Sequence, residues 1–325
     1  AHAMRMNLHS EKTVSWIIDR NVNISNVCIT GCRFCNFSCS KNSTLAYVTT
    51  REEYRKKISE LFALGGNQLL LQGGLNPALD LNFHCDLFRW MKSEFPELKL
   101  HALSPAEVDF MARTEKMSHH DVLQTLMNAG LDSLPGAGAE ILCDRVRNIV
   151  SPSKISTNSW FEVMRAAHKI GLVTSATMMF GHVETMEERI EHMIRIRSLQ
   201  NEKPAGVPGF LSFIPWPFYG KDTALEKAGV VSKSVTPVEY IRLIATARLV
   251  LNNISNIQAS WLTVGKTTAA ICLYAGANDL GSIMIEENVV SSAGASYRMN
   301  ADEMLQLISD SGFEPRRRNQ DFTDA

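Results

Sequence analysis

What the chain lacks narrows the field first. It contains no apolar run of the roughly 20 residues a membrane-crossing helix needs, and its first residues do not read as a secretory signal, so none is expected. Its formal charge is −1 over 325 residues, so no excess of either sign points to nucleic acid or a membrane surface as partner. No internal repeat, low-complexity tract or obvious linker breaks it, and one domain is expected. Seven cysteines are too few for a disulfide framework in so long a chain. Their crowding toward one end suits a reducing, cytoplasmic setting. Cys85, Cys143 and Cys272 lie scattered in apolar helical context and read as plain core residues.

What is present is a large apolar fraction, 45% of residues, enough for a sizeable core. Ala1-His2-Ala3 ahead of Met4 reads as a cloning scar, which leaves 4–325 as the domain, with a core of about 21–300. Glu11–Asp19 reads as a short helix and Val22–Ile29 as the first strand. Strand-like and helix-like segments then alternate: Gln68–Leu71, Leu98–Leu103, Val173–Phe180 and Gly209–Pro215 carry strand patterns between helical ones. Thr185 and Glu188 have capping-box spacing for a helix through Leu199. Eight strand signals alternating with helices predict an α/β fold, a (β/α)8 TIM-type barrel with short helical extensions at either end. Barrel sites lie at the C-terminal ends of the strands, where the unusual residues fall.

The most informative stretch is Cys28-Ile-Thr-Gly-Cys32-Arg-Phe34-Cys35, directly after the first strand. Three thiolates on one loop can hold an iron–sulfur cube and leave one iron without a protein ligand. Cys39 extends the pattern to a fourth position, so a structural zinc is the competing reading. Gln72-Gly73-Gly74 ends the second strand pattern, where glycines let a ligand approach the backbone, or simply make a turn. Pro135-Gly-Ala-Gly-Ala-Glu140 opens a helix with small residues. Glu140 can accept from a ribose or an amine, or only answer the helix dipole. His182 and Glu184 follow an apolar strand, where the histidine can serve acid–base work or be a satisfied strand-end group. His101 can face the barrel centre or the helix layer. Pro215–Tyr219 is an aromatic lip. Asp279, Glu286 and Glu287 form a late carboxylate cluster able to bind a polar substrate or take a proton. Arg316-Arg317-Arg318 reads as a solvated tail.

These motifs together resemble the radical S-adenosylmethionine (SAM) enzymes of the futalosine route to menaquinone and their relatives in deazaflavin assembly. The marks run from residue 21 to about 300. They are Asn-Val-Cys…Cys-Arg-Phe-Cys, Leu-Gln-Gly-Gly, His-Ala-Leu-Ser-Pro-Ala-Glu, Pro-Gly-Ala-Gly-Ala-Glu-Ile-Leu, Met-Met-Phe-Gly-His-Val-Glu-Thr and Gly-Ala-Asn-Asp-Leu-Gly-Ser. Ser212–Trp216, Ile257–Trp261 and Met284–Gly294 are most similar to the branch that cyclises dehypoxanthine futalosine. Cys39 is a departure from the family pattern. The resemblance implies a [4Fe–4S] cluster on Cys28, Cys32 and Cys35, with SAM chelating the open iron through its amino and carboxylate groups. It implies SAM contacts from Phe34, Gln72, Gly73, Gly74, Ser104 and Glu140. It further implies a 5′-deoxyadenosyl radical that takes the ribose C4′ hydrogen, ring closure onto the benzoate, and loss of a proton. His182, Glu140, Asp279, Glu286 and Glu287 are the candidates for proton acceptor or substrate contact. A flavodoxin or ferredoxin is the expected electron donor. Arg145, Arg147 and Arg298 are candidates for the benzoate carboxylate.

Overall fold

The computed structural model describes residues 1–231, 234–286, 288 and 297–325. The chain begins with a helix, His2–Leu8, and then enters a strand where the sequence suggests a helix. Strand β1 spans Thr13–Ile17, and β2 spans Asp19–Asn23. Val14, Trp16 and Ile18 alternate along this stretch, and all three are buried. These three enter the core between sheet and helices while Ile17 and Asp19 line the central cavity, so alternate side chains take opposite faces, as in a barrel strand buried on both sides. The expected first strand, Val22–Ile29, is therefore corrected: it starts earlier, and Ile29 already lies on an exposed loop.

Six more strands follow in parallel: β3 (Gln68–Gln72), β4 (Lys99–Ala102), β5 (Ser133–Leu134), β6 (Val173–Phe180), β7 (Phe210–Pro217) and β8 (Asn256–Ile257). With β2 they form one sheet in strict chain order, β2 to β8. β9 (Asp279–Ser282) closes the ring. Its Asp279 carbonyl accepts from Ala259 N–H at 2.9 Å on the β8 side, and it pairs in parallel with β1 on the other. Because β1 runs on into β2 through Ile18, the ring has eight strand positions, the expected barrel.

Helices fill the connections, as parallel pairing requires. Thr157–Lys169, Met186–Glu202 and Lys266–Ala275 match the periodic segments closely. Thr185 and Glu188 make both halves of the capping box. The main apolar core lies between sheet and helices. Leu69, Leu71, Leu100, Phe88 and Met91 are fully buried there, each contributing roughly 1.5–3 kcal/mol. Cys85 and Cys272 belong to this core, but Cys143 is only half-buried and donates to Glu188 at 3.2 Å.

A tenth strand, β10 (Glu314–Arg317), lies on the outer side of β1 and pairs with it in parallel. The arginine tail is thus no solvated run. Arg318 is 3% exposed and enters the barrel from below.

Candidate functional site

The barrel holds a cavity of about 410 Å³, with the cysteine loop at its upper end and Arg318 at its floor. The loop rises from the C-terminal end of β2 and crosses its own base. Cys39 N–H donates to Asn26 O at 2.9 Å, and Cys28 N–H donates to Cys39 O at 3.0 Å. Cys39 is thereby held in main-chain pairing and does not line the cavity, whereas Cys28, Cys32 and Cys35 all do. The Thr30 hydroxyl lies 3.0 Å from Cys28 Sγ and 3.4 Å from Cys32 Sγ, and Leu75 N–H donates to Cys28 Sγ at 3.3 Å. Arg33 pins the loop to the barrel rim through its N–H to Val150 O (2.8 Å) and its guanidinium to Ile149 O (3.2 Å).

This donor set fits the implied cluster. Three half-buried thiols from one loop face one cavity, and N–H and O–H groups stand ready for sulfur. Among the described residues no three His, Cys, Asp or Glu side chains converge on a point where they could share one ion, which a structural zinc would need. A cube spreads its three thiolates over three different irons.

The glycine turn sits against the loop because nothing larger fits. A Cβ on Gly74 would lie 2.1 Å from Val27 O and 2.7 Å from Cys28 Cβ. Gly74 N–H donates to Ser25 O at 2.8 Å. Gly73 N–H donates to Glu107 Oε1 at 3.2 Å, and the other oxygen of Glu107 accepts from Ser104 Oγ at 2.7 Å. Gln72, Gly73, Gly74, Ser104 and Phe34 all line the cavity.

Glu140 lines it too, at the end of a turn with φ +42°. Arg147 braces that turn by donating to the carbonyls of Gly138, Ala139 and Ile155, so it is not free to bind a substrate carboxylate. Lys154 Nζ donates to Glu140 Oε1 at 2.8 Å and lies 5.7 Å from the Phe34 ring centre. Burial pushes the Glu140 carboxyl up, but Lys154 and Arg147 outweigh it and leave the group below its ordinary value.

The structure separates the other acid–base candidates from the cluster end. Neither His182 nor Glu286 lines the cavity. His182 is locked at the end of β6: Nε2 donates to Met179 O at 3.0 Å, and Nδ1 accepts from Val183 N–H at 2.8 Å. Burial lowers its pKa against the pull of Glu184, whose Oε2 lies 3.0 Å from Nδ1. Its surroundings are those of a satisfied strand-end histidine. Glu286 is bound by Arg20 Nε at 2.9 Å and Lys57 Nζ at 2.6 Å. Glu287 lies outside the described residues. Arg145 is exposed and paired with Glu188, and Arg298 is exposed.

Asp279 sits under the floor, fully buried. Arg318 donates to both its oxygens, at 2.6 and 3.0 Å, and Ser15 Oγ and Gly281 N–H add bonds at 2.6 and 2.8 Å. A carboxylate so occupied is a structural anchor and not a ready base. His101 faces inward, with Nδ1 2.7 Å from Ser133 Oγ. Burial, with Arg318 nearby, pushes its pKa down to about 3. Trp216, Phe218 and Tyr219 of the aromatic lip line the cavity wall.

Four charged cavity residues escaped the sequence reading: Asp19, Glu107, Lys154 and Arg318. Glu107 had a visible signal, since Ser104-Pro-Ala-Glu107 has capping-box spacing. Lys154 and Arg318 had none. One comes from the loop after a helix and the other from a charged tail, both ordinary surface contexts.

The comparisons with known proteins agree with this architecture. A model of the radical SAM superfamily matches residues 22–196, and a CofH/MqnC C-terminal region model matches 207–324. A cyclic dehypoxanthine futalosine synthase from Halalkalibacterium halodurans is 41% identical over 99% of this chain and 85% of its own length. One from Streptomyces coelicolor is 40% identical, over 95% and 76%. A 5-amino-6-(D-ribitylamino)uracil–L-tyrosine 4-hydroxyphenyl transferase from Methanosarcina mazei is 39% identical, over 94% and 79%. Among solved structures, methylornithine synthase superposes with a TM-score of 0.74 at 19% identity, over 98% of this chain and 87% of that one. The cysteine loop, the closed barrel and these matches converge: the chain belongs to the radical SAM superfamily, in the group that includes the cyclic dehypoxanthine futalosine synthases, and is an enzyme that uses a [4Fe–4S] cluster and SAM.

Proposed function

We propose that the protein cyclises dehypoxanthine futalosine to cyclic dehypoxanthinyl futalosine. One observation carries this reading above the sister activity. The stretches most similar to the cyclase branch, Ser212–Trp216 and Ile257–Trp261, supply cavity wall: Ser212, Ile214, Trp216, Gln258, Ser260 and Trp261 all face it. Likeness on the wall away from the cysteine loop bears on what is bound there, not on how the cofactor is held.

Cys28, Cys32 and Cys35 would hold the cluster, and the Gly73–Gly74 turn, Phe34 and Ser104, which line the same cavity, would receive SAM. Bound there and reduced, the cluster and SAM would supply one-electron chemistry that removes a single hydrogen atom from the substrate. The wall residues present the substrate's C4′ hydrogen to that position, since catalysis here rests on placement. The lip and the closed floor keep water from a reactive centre. Ring closure on the benzoate then requires one electron and one proton to leave; the electron would return to the cluster, oxidised by SAM cleavage, and the proton would pass to a carboxylate, so the product is two hydrogens lighter. Of the candidate proton acceptors that are described, Glu140 lines the cavity, and its Lys154 partner stabilises the ionised form it must have to act.

The test is an anaerobic assay of reconstituted enzyme, reduced by dithionite or by flavodoxin or ferredoxin. It follows 5′-deoxyadenosine and substrate mass with dehypoxanthine futalosine. Substrate-dependent 5′-deoxyadenosine with a product two hydrogens lighter is expected. Turnover of tyrosine with the ribitylaminouracil instead would move the assignment to the sister transferases, to which the 39% identity gives some weight.

A further inference from the structure

The charges facing the cavity do not balance evenly. Glu140 is paired with Lys154, and the floor carboxylate Asp279 with Arg318. Asp19, low on β2, shares its buried position with Gln68 and Ser282. Asp19 also has no ion-pair partner among the described residues, and its Oδ1 is unpartnered, but it lies at the floor end near Arg318, whereas Glu107 is such a carboxylate at the cluster end. It is 6% exposed, it lines the cavity at the cluster end, and its two hydrogen-bond donors are neutral, the Ser104 hydroxyl and the Gly73 amide. It has no ion-pair partner among the described residues. A carboxylate oxygen accepts more than one hydrogen bond, so each oxygen of Glu107 keeps acceptor capacity after these contacts.

Its neighbours say which donor it awaits. Gly73 opens the turn that continues through Gly74 to Leu75, whose N–H reaches the sulfur of Cys28. Glu107 therefore sits one turn away from a cluster ligand, at the side of the cavity where the methionine end of SAM must lie. That end carries an amino group whose N–H donors must be satisfied once water is excluded. The turn's carbonyls can accept some of these hydrogen bonds, Gln72 O already taking Ile24 N–H, but none carries the negative charge that an ammonium group favours, and Glu107 does.

We infer that the Glu107 carboxylate accepts a hydrogen bond from the amino group of SAM, so that a residue from the start of the helix Pro105–Glu115 completes the site begun by the cysteine loop and the glycine turn. The inference rests on the family's cofactor and not on the proposed substrate. The lack of a cation in contact with the carboxylate agrees with it: burial pushes the pKa up to about 7, against the bonds from Ser104 and Gly73 and the more distant Lys154.

The experiment uses cluster-loaded, unreduced enzyme and equilibrium binding of three ligands. These are SAM, S-adenosylhomocysteine (amino group kept, sulfonium charge removed) and the desamino analogue of SAM. In Glu107→Gln, SAM and S-adenosylhomocysteine are expected to weaken alike, by roughly 10- to 100-fold, the worth of a charge-assisted hydrogen bond. The desamino analogue should bind wild type and variant within twofold. Glu107→Asp keeps the charge and should fall between them, and it carries the test if the glutamine variant loses its cluster. Equal weakening of all three ligands would show that Glu107 only braces the Gly73 turn. Weakening of SAM alone would assign it to the sulfonium. No weakening would end the proposal outright.

Discussion

The two ends of the cavity are built in opposite ways. The upper end takes its three cysteines from eight consecutive residues, leaves them half-buried, and holds them with main-chain bonds of a loop. The floor draws on Ser15, His101, Ser133, Asp279 and Arg318, which are scattered from one end of the chain to the other, and buries them almost completely. A site that must admit a cluster and a ligand has to stay partly open, and a short loop can do that. A floor that must exclude water needs charges neutralised in place, and only tertiary packing can bring them together. Burying an ion pair costs desolvation energy, so the Arg318–Asp279 bond is better read as closing the barrel than as strengthening it.

The sharpest way to break the contrast is at the upper end. Cys32→Ala should abolish SAM cleavage and lower bound iron, with melting temperature unchanged, because the loop contributes little to the core. Continued 5′-deoxyadenosine formation would disprove the ligand assignment. Gly74→Ala comes next. Its Cβ would meet Val27 O, so the turn must shift away from Cys28. A displacement of about 1 Å near the reacting atoms costs on the order of 100-fold in rate. Rate and iron content should be measured together, since a full cluster with a normal rate would show that the loop yields freely.

At the floor the readout changes from rate to stability. Arg318→Met leaves Asp279 buried and unpaired, at a cost of roughly 3–5 kcal/mol by urea unfolding. Asp279→Asn combined with Arg318→Met should recover part of that loss. If the single and double variants are equally unstable, the pair is not coupled as described. The smallest effect is on pH. His101 stays neutral in the fold with a pKa near 3, while the unfolded chain binds a proton below about 6.5. The stability that depends on its neutrality is full above pH 6.5 and is lost as pH falls toward 3. At pH 5 the loss is roughly 2 kcal/mol. The fall in stability between pH 7 and 5 should be smaller by about that amount in His101→Gln. An identical fall would mean that the ring is not shielded at the floor.

Much of the frame was legible beforehand. The alternation of strand and helix patterns pointed to the barrel, and the Thr185–Glu188 spacing located a helix start that the structure reproduces. The segment Glu11–Asp19 misled because its charged ends resemble helix caps, while the alternation of Val14, Trp16 and Ile18 carried the real signal. The tail misled in the same manner. Three consecutive arginines usually face water, yet strand pairing with β1 turns Arg318 inward to meet Asp279. His182 and Glu286 had suitable chemistry, but their side chains are taken up by Met179 and Val183 in one case and by Arg20 and Lys57 in the other.

The sequence by itself determined the features that depend on neighbours along the chain: the spacing of three thiols, the glycines beside them, the caps and the periods of the elements. These are local because a loop or a helical turn is stabilised within a few residues. Only the tertiary structure decided which carboxylates face the cavity and which are already paired. Burial and ion pairing act through space, and in a closed barrel the residues that meet across the centre come from every strand.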